Sequence, residues 1–325
     1  MKLRIAVLYG GRSGEHEVSL RSARAILDHL DTDKYEPVEY LISKDGKWSP
    51  RPILPEPGAH NDIDVVFPVL HGTFGEDGTV QGLLELSGLP YVGAGVLASA
   101  VSMDKEMMKR VCAERGLPVV EYVTAARGTA NLDTITKLLP FPMFVKPANL
   151  GSSVGISKAH DRAELECAIA EAAKFDRKII IERGIAGREL ECSVLGNDDP
   201  VASLPCEILP SREFYDYDDK YLLDLAKTEV PANLDAGTTE ALRRLAVECY
   251  RAVECEGMAR VDFLLESATG KLYINEINTI PGFTSISMYP KMWEHSGIGF
   301  AQLLDRLIDL ALDRHRQRQS TRFTR

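Results

Sequence analysis

Several things are missing from this chain of 325 residues, and each absence narrows what it can be. No apolar run approaches the roughly 20 residues that a membrane-spanning helix needs, so no membrane association is expected. Basic residues are outnumbered: 38 Lys and Arg against 48 Asp and Glu leave a net charge of -10. That balance counts against a nucleic-acid-binding surface. The 6 cysteines (Cys112, Cys167, Cys192, Cys206, Cys249 and Cys255) include no C-x-x-C pair. Thiols scattered in this way are expected to be reduced and structural, in a cytoplasmic protein. Internal repeats and long linkers are absent. Lys2 and Arg4 precede only a short apolar stretch that stops at Gly10-Gly11, which reads as a first strand rather than a signal peptide. No G-x-G-x-x-G follows that strand, and no G-K-[ST] occurs after the later glycine-rich loop. The first absence argues against a nucleotide-dependent dehydrogenase, the second against a Walker A loop.

What is present is globular: 45% hydrophobic and 26% charged residues, on a length suited to two or three domains. The run LRIAVLY at 3–9 predicts a buried parallel strand, followed by a glycine turn and a helix over 18–30. Apolar runs at 37–42 and 64–70 and a helix near 79–87 continue a β-α-β alternation. An open parallel sheet is therefore expected for residues 1–95. A helix over 103–115 leads into a small α+β unit, 96–187, with strands at 142–147, 155–158 and 178–182 and a helix at 161–174. A third unit, 188–312, carries a helix over 236–255, a hairpin over 258–278 and a helix over 299–312. The tail 313–325 holds five arginines among polar residues and is expected to be frayed and solvated.

The hairpin raises a chemical question. MARVDFLLE and KLYINEIN flank Ala268-Thr269-Gly270, which suits a three-residue loop closed by a left-handed glycine. Ser267 then pairs with Lys271, Asp262 with Glu276 and Arg260 with Asn278, all on one face. Two carboxylates directly across a ladder repel unless a cation lies between them. Asp262, Glu276 and Asn278 offer only hard oxygen donors, which suits Mg²⁺ rather than zinc. The plainer alternative is a solvated face with an Arg260 ion pair. It fits less well, because the intervening positions are strongly apolar.

Lys146 ends the apolar strand PMFVK and is followed by PANLGSSVGISK. This loop is either a plain turn or a flap that closes backbone N–H groups and hydroxyls over phosphates. The lysine at the strand end favours the flap. In IIIERGIAGRELEC a strand delivers Glu182, then turns through Gly184 and Gly187 to Glu189. That stretch is either a domain crossover or a hinge that holds an adenine and a ribose.

Together, Lys105, Lys146, the GSSVG loop, the Glu182 to Glu189 hinge, Arg260-Val-Asp262 and Glu276-Ile-Asn278 resemble the ATP-grasp ligases. Within that superfamily, GGRSGEHEVS, HGTFGEDGTVQG, FYDYDDKY and NTIPGFTSISMYP resemble the D-alanine–D-alanine ligase family, and the resemblance spans about residues 5–310. It implies an α/β fold in which an N-terminal open parallel sheet domain accompanies two α+β domains clasping ATP. It also implies a homodimer with ATP and two D-alanines as its small-molecule partners. By the same resemblance Glu182, Arg183 and Ile185 meet adenine, Glu189 the ribose, and Lys105 and Lys146 the phosphates, with Ser152 and Ser153 in the closing loop. Asp262, Glu276 and Asn278 match the ligands of two Mg²⁺, with Mn²⁺ as a substitute. Glu15 and His71 fall at the first D-alanine; Lys220, Ser287 and Met288 fall near the carboxylate of the second. Ser152, Tyr221 and Glu15 match a hydrogen-bonded group that locks the loop. Arg260 and the N–H of Gly282 would stabilise the tetrahedral oxyanion. Arg183 stands where lysine is common and Gly184 where a bulkier residue is common.

Without the family pattern, Glu15 reads as a helix-start acid, His71 as a satisfied core histidine and Tyr221 as part of a solvated loop. Two other functions remain in view. A depsipeptide ligase would use D-lactate as acceptor, but Tyr221 goes with an amine acceptor in the family. A non-catalytic ATP-binding module would not need the complete metal trio together with Arg260.

Overall fold

In a computed structural model, residues 2–209, 227–284 and 286–322 of the protein are described. Three sheets follow one another along the chain. The first begins with β1 (Leu3–Gly10), fully buried from Ile5 to Leu8. Helix α1 (His16–His29) turns Val18, Ala23 and Ile26 inward. Strands β2 (Tyr35–Ile42), β3 (Trp48–Ser49) and β4 (Val65–Pro68) complete the order β3-β2-β1-β4. β1 pairs in parallel with both β2 and β4, as the continuous apolar runs predict. The two-residue β3 joins antiparallel at the edge and is too short to carry a periodic signal. Helices α2 (Thr79–Ser87) and α3 (Val96–Met103) lead out of this sheet.

The helix expected over 103–115 is present but starts two residues later. Asp104 is extended, at φ -84° and ψ 102°, and its side chain accepts from the N–H groups of Glu106 and Met107. An aspartate that caps a new helix competes with continuing the old one. Helix α4 (Lys105–Glu114) therefore starts at Lys105.

The second sheet is antiparallel, in the order β5 (Tyr122–Ala126), β8 (Lys178–Arg183), β6 (Met143–Pro147), β7 (Ser157–Ala159). Helices α5 (Leu132–Leu138) and α6 (Arg162–Phe175) share one core with it. The third sheet holds β9 (Gly187–Leu195), β10 (Val201–Ala202), β11 (Cys206–Leu209), β12 (Lys227–Glu229), β13 (Met258–Glu266) and β14 (Leu272–Asn278). Its central order is β11-β9-β13-β14, covered by α7 (Ala236–Ala252).

The β13–β14 loop differs from the expected three residues. The Glu266 N–H donates to the Lys271 carbonyl at 2.9 Å and the Gly270 N–H to the Glu266 carbonyl at 2.8 Å, so four residues, 267–270, make the turn. Ser267 does not pair with Lys271. The one-residue slip is then undone by a bulge at Asn275, after which Asp262 faces Glu276 and Arg260 faces Asn278, as the sequence predicts.

Helices α8 (Met288–His295) and α9 (Phe300–Gln319) end the described chain. Leu303, Leu304, Leu307 and Ile308 of α9 share a core with Ile5, Val7 and Phe67 of the first sheet. The last helix thus does not belong to the third sheet alone, and the tail is not frayed from Asp313. Arg314 is buried, donates to the Tyr91 carbonyl at 2.8 Å and to that of Gly93, and stacks on the Tyr91 ring at 4.3 Å.

Candidate active site

The site is built on β13. Asp262 pairs with Glu191 of β9 on one side and Glu276 of β14 on the other, so three carboxylates stand in a row. The next row on the same face is Ser193, Arg260 and Asn278. Like charges directly opposite one another destabilise a ladder unless cations intervene. Arg260 grips both oxygens of Asp262 at 2.6 Å and approaches Glu191 at 3.3 Å. Burial would lower the guanidinium pKa, but Asp262 and then Glu191 outweigh it and hold it well above the ordinary value. Lys105 comes from the first position of α4, 3.2 Å from Glu276, and donates to the Leu150 carbonyl at 2.9 Å. Sequence reasoning missed Glu191. Its signal was the alternation Glu189-Leu190-Glu191-Cys192, which repeats an acid on one strand face.

Lys146 projects from the end of β6 to Asn275 at 3.1 Å and to Glu182 at 2.6 Å. Glu182 is buried, and Lys109 of α4 meets its other oxygen at 3.0 Å. Burial would raise the carboxyl pKa, but the charges of Lys109 and Lys146 bring it down to about 2. Arg183 instead spans to Glu121 and Glu266, both at 2.8 Å, and to the Tyr273 hydroxyl at 3.2 Å. Gly184 follows because a Cβ there would lie 2.7 Å from the Pro142 carbonyl oxygen.

Residues 148–156 connect β6 to β7, so a strand follows where a Walker A loop would start a helix. Ser152 and Ser153 take the left-handed conformation, at φ 55° and 58°. The Ser152 hydroxyl donates to the carboxylate of Glu15. Glu15 occupies the N-cap position of α1 without capping it, so its side chain is turned to the loop rather than to the helix. His71 is satisfied inside the protein. Its Nδ1 lies 3.0 Å from the Ile280 carbonyl, which can only accept, so Nδ1 carries the proton. Nε2 lies 3.0 Å from the Ser22 hydroxyl. Glu76, 3.6 Å from the ring, has its carboxyl pKa raised by burial and by Glu15. At the other end, the Ser287 hydroxyl accepts from the Thr284 N–H at 3.0 Å and sits where a Cβ on Gly282 would be, 2.8 Å away.

These side chains line two adjoining cavities. One, of about 440 Å³, is bordered by Glu15, His71, Arg260, Asn278, Gly282, Ser287 and Met288. The other, of about 370 Å³, is bordered by Lys146, Ser153, Glu182, Arg183, Ile185, Glu189 and Asp262. Lys105, Ser152, Glu191 and Glu276 border both. Lys220 and Tyr221 lie outside the described residues. Among the described residues, no three His, Cys, Asp or Glu side chains form a metal-holding group by themselves.

Two α+β sheets meeting over a flap, a lysine pair and an acidic strand face define an ATP-grasp enzyme. The profile of the D-ala D-ala ligase C-terminus matches residues 111–309, and that of the N-terminus matches 4–58 and 53–94. The D-alanine–D-alanine ligase of Solibacter usitatus is 76% identical over 325 residues, 100% of both chains. That of Acetivibrio thermocellus is 47% identical over 364 residues, covering 97% of each. The solved structure of the ligase from Coxiella burnetii superposes with a TM-score of 0.87 at 40% identity, covering 98% of this chain and 96% of the other. The VanG D-Ala:D-Ser ligase from Enterococcus faecalis gives 0.86 at 36%, covering 96% and 100%. The chain belongs to the D-alanine–D-alanine ligase family.

Proposed function

We infer that the protein joins two D-alanines into D-alanyl-D-alanine for peptidoglycan precursor synthesis, at the expense of ATP. The observation that carries this is the wall shared by the two cavities, where Lys105, Ser152 and Glu276 face both. A phosphoryl group can pass across such a wall from a nucleotide to an amino acid. The carboxylate of the first D-alanine takes the γ-phosphoryl group, giving D-alanyl phosphate and ADP. The free amine of the second attacks that carbonyl, and phosphate leaves.

Lys105 and Lys146 bind the phosphates, Glu182, Arg183 and Ile185 the adenine, and Glu189 the ribose. Arg183 contributes its backbone, since its side chain is tied to Glu121 and Glu266. Glu15, with His71 behind it, takes the first ammonium group. Ser287 and Met288, with Lys220, face the second carboxylate. Arg260 and the Gly282 N–H stabilise the tetrahedral oxyanion; one such donor is worth about 3 kcal/mol of barrier. Ser152 locks the flap through Glu15, with Tyr221 as third member. Asp262, Glu276 and Asn278 provide hard oxygens that suit Mg²⁺, or Mn²⁺, and would hold two such ions. Bound there, the metal neutralises charge on the transferring group.

The reading extends to three domains, 1–95, 96–187 and 188–312, with α9 returning to the first, and to the cytoplasm. No helix among the described residues is long and apolar enough to cross a membrane. Leu86, Val96 and Leu97 are exposed on α2 and α3, an apolar face suited to a second copy in a homodimer. Sedimentation at a single chain's mass would overturn that last point.

Phosphate release from ATP should require D-alanine. Release that ignores D-alanine would overturn the ligase reading. The VanG relative from Enterococcus faecalis is a D-Ala:D-Ser ligase, so D-alanine, D-serine and D-lactate should be offered together as acceptors. Predominant depsipeptide product would favour the D-lactate alternative.

A further inference from the structure

Helix α4 carries two lysines four residues apart, Lys105 and Lys109, on its buried face. Lys105 borders both cavities. Lys109 borders neither and is 0% exposed. Its ion pair is with Glu182, at 3.0 Å, and the opposite oxygen of Glu182 meets Lys146 at 2.6 Å. One carboxylate thus lies between two ammonium groups, and the three together carry one net positive charge. Of the two lysines, Lys146 borders the cavity and Lys109 sits behind it.

We propose that Lys109 is a positioning residue for the nucleotide: by holding one oxygen of Glu182 it fixes that carboxylate and leaves Lys146 with an unneutralised charge directed at the ligand. This rests on the reading that the 370 Å³ cavity takes ATP. Without Lys109, Glu182 and Lys146 form a closed one-to-one pair. A neutral pair attracts a polyphosphate far less than a lysine whose counter-charge is already shared. An ammonium group with no contact to solvent is also expensive to bury for stability alone. Burial lowers the Lys109 pKa, and the charge of Glu182 opposes that shift.

The test uses ADP binding by calorimetry together with steady-state KM values on the full-length protein. Lys109→Met should weaken ADP binding and raise the KM for ATP about tenfold, with the D-alanine KM values unchanged. In a Glu182→Gln background the same substitution should have little further effect, because the carboxylate it serves is gone. The double variant buries one charge fewer than Lys109→Met alone, so it keeps the test open if the single variant fails to fold. Equal, additive losses in both backgrounds, or an unchanged ADP affinity in Lys109→Met, would overturn the proposal. If wild-type protein binds no ADP, the assignment of the cavity itself falls.

Discussion

Glu276 is among the residues that border both cavities, and it already shares its charge with Lys105 at 3.2 Å. Replacing it by glutamine keeps its shape and removes one negative charge. Glu276→Gln should lower turnover by about 10²-fold or more while the melting curve stays close to wild type. Full activity at saturating Mg²⁺ would show that Glu276 is not a ligand. Glu182 offers a pH test. Its carboxyl is held down at about 2 in the folded protein, against burial, by Lys109 and Lys146. An acid with a depressed folded pKa contributes stability above its unfolded value, about 4.3, and loses it as pH falls toward the folded value. In urea titrations the stability advantage of wild type over Glu182→Gln should therefore shrink as pH falls from about 4.3 to about 2. A constant gap across that window would contradict the charge triad. Residues such as Glu276 were legible because an acid is conspicuous on a strand. Lys109 was not, because a lysine in a charged helix reads as solvated until the fold buries it.

At the level of elements, the bulge in β14 presents two consecutive side chains to the cavity, Asn275 toward Lys146 and Glu276 toward Lys105. A regular strand would turn one of them away. Asn275→Ala should raise the KM for ATP roughly tenfold, the worth of one hydrogen bond to a charged group, with kcat little changed. An unchanged KM would mean that Glu182 alone orients Lys146. The pairing of Asp262 with Glu276 was readable from sequence, yet by two slips that cancel. The turn holds four residues where glycine chemistry suggested three, and the bulge restores the register. Turn chemistry and alternation are local signals; an extra residue absorbed in mid-strand leaves no trace in either.

For the molecule as a whole, the closing helix decides how the ends relate. Arg314 satisfies the buried carbonyls of Tyr91 and Gly93, at the exit of the first sheet. Arg314→Ala should lower the unfolding free energy by about 3 kcal/mol, seen as a lower urea midpoint with an unchanged slope. A variant that melts like wild type would return the segment to the solvated role that its composition suggests. Five arginines among polar residues do look like a loose end. Nothing local reveals that one of them has carbonyls to cap more than 200 positions earlier, at a separation of 221 residues from Gly93.

During synthesis, the strands made first receive their cover last. Ile5, Val7 and Phe67 leave the ribosome long before Leu303, Leu307 and Ile308 can pack against them. The nascent chain must carry a half-finished apolar face through nearly all of its translation, and such faces are where chains stick to one another or are held by chaperones. A ribosome stalled before residue 300 would leave that face open for as long as the stall lasts.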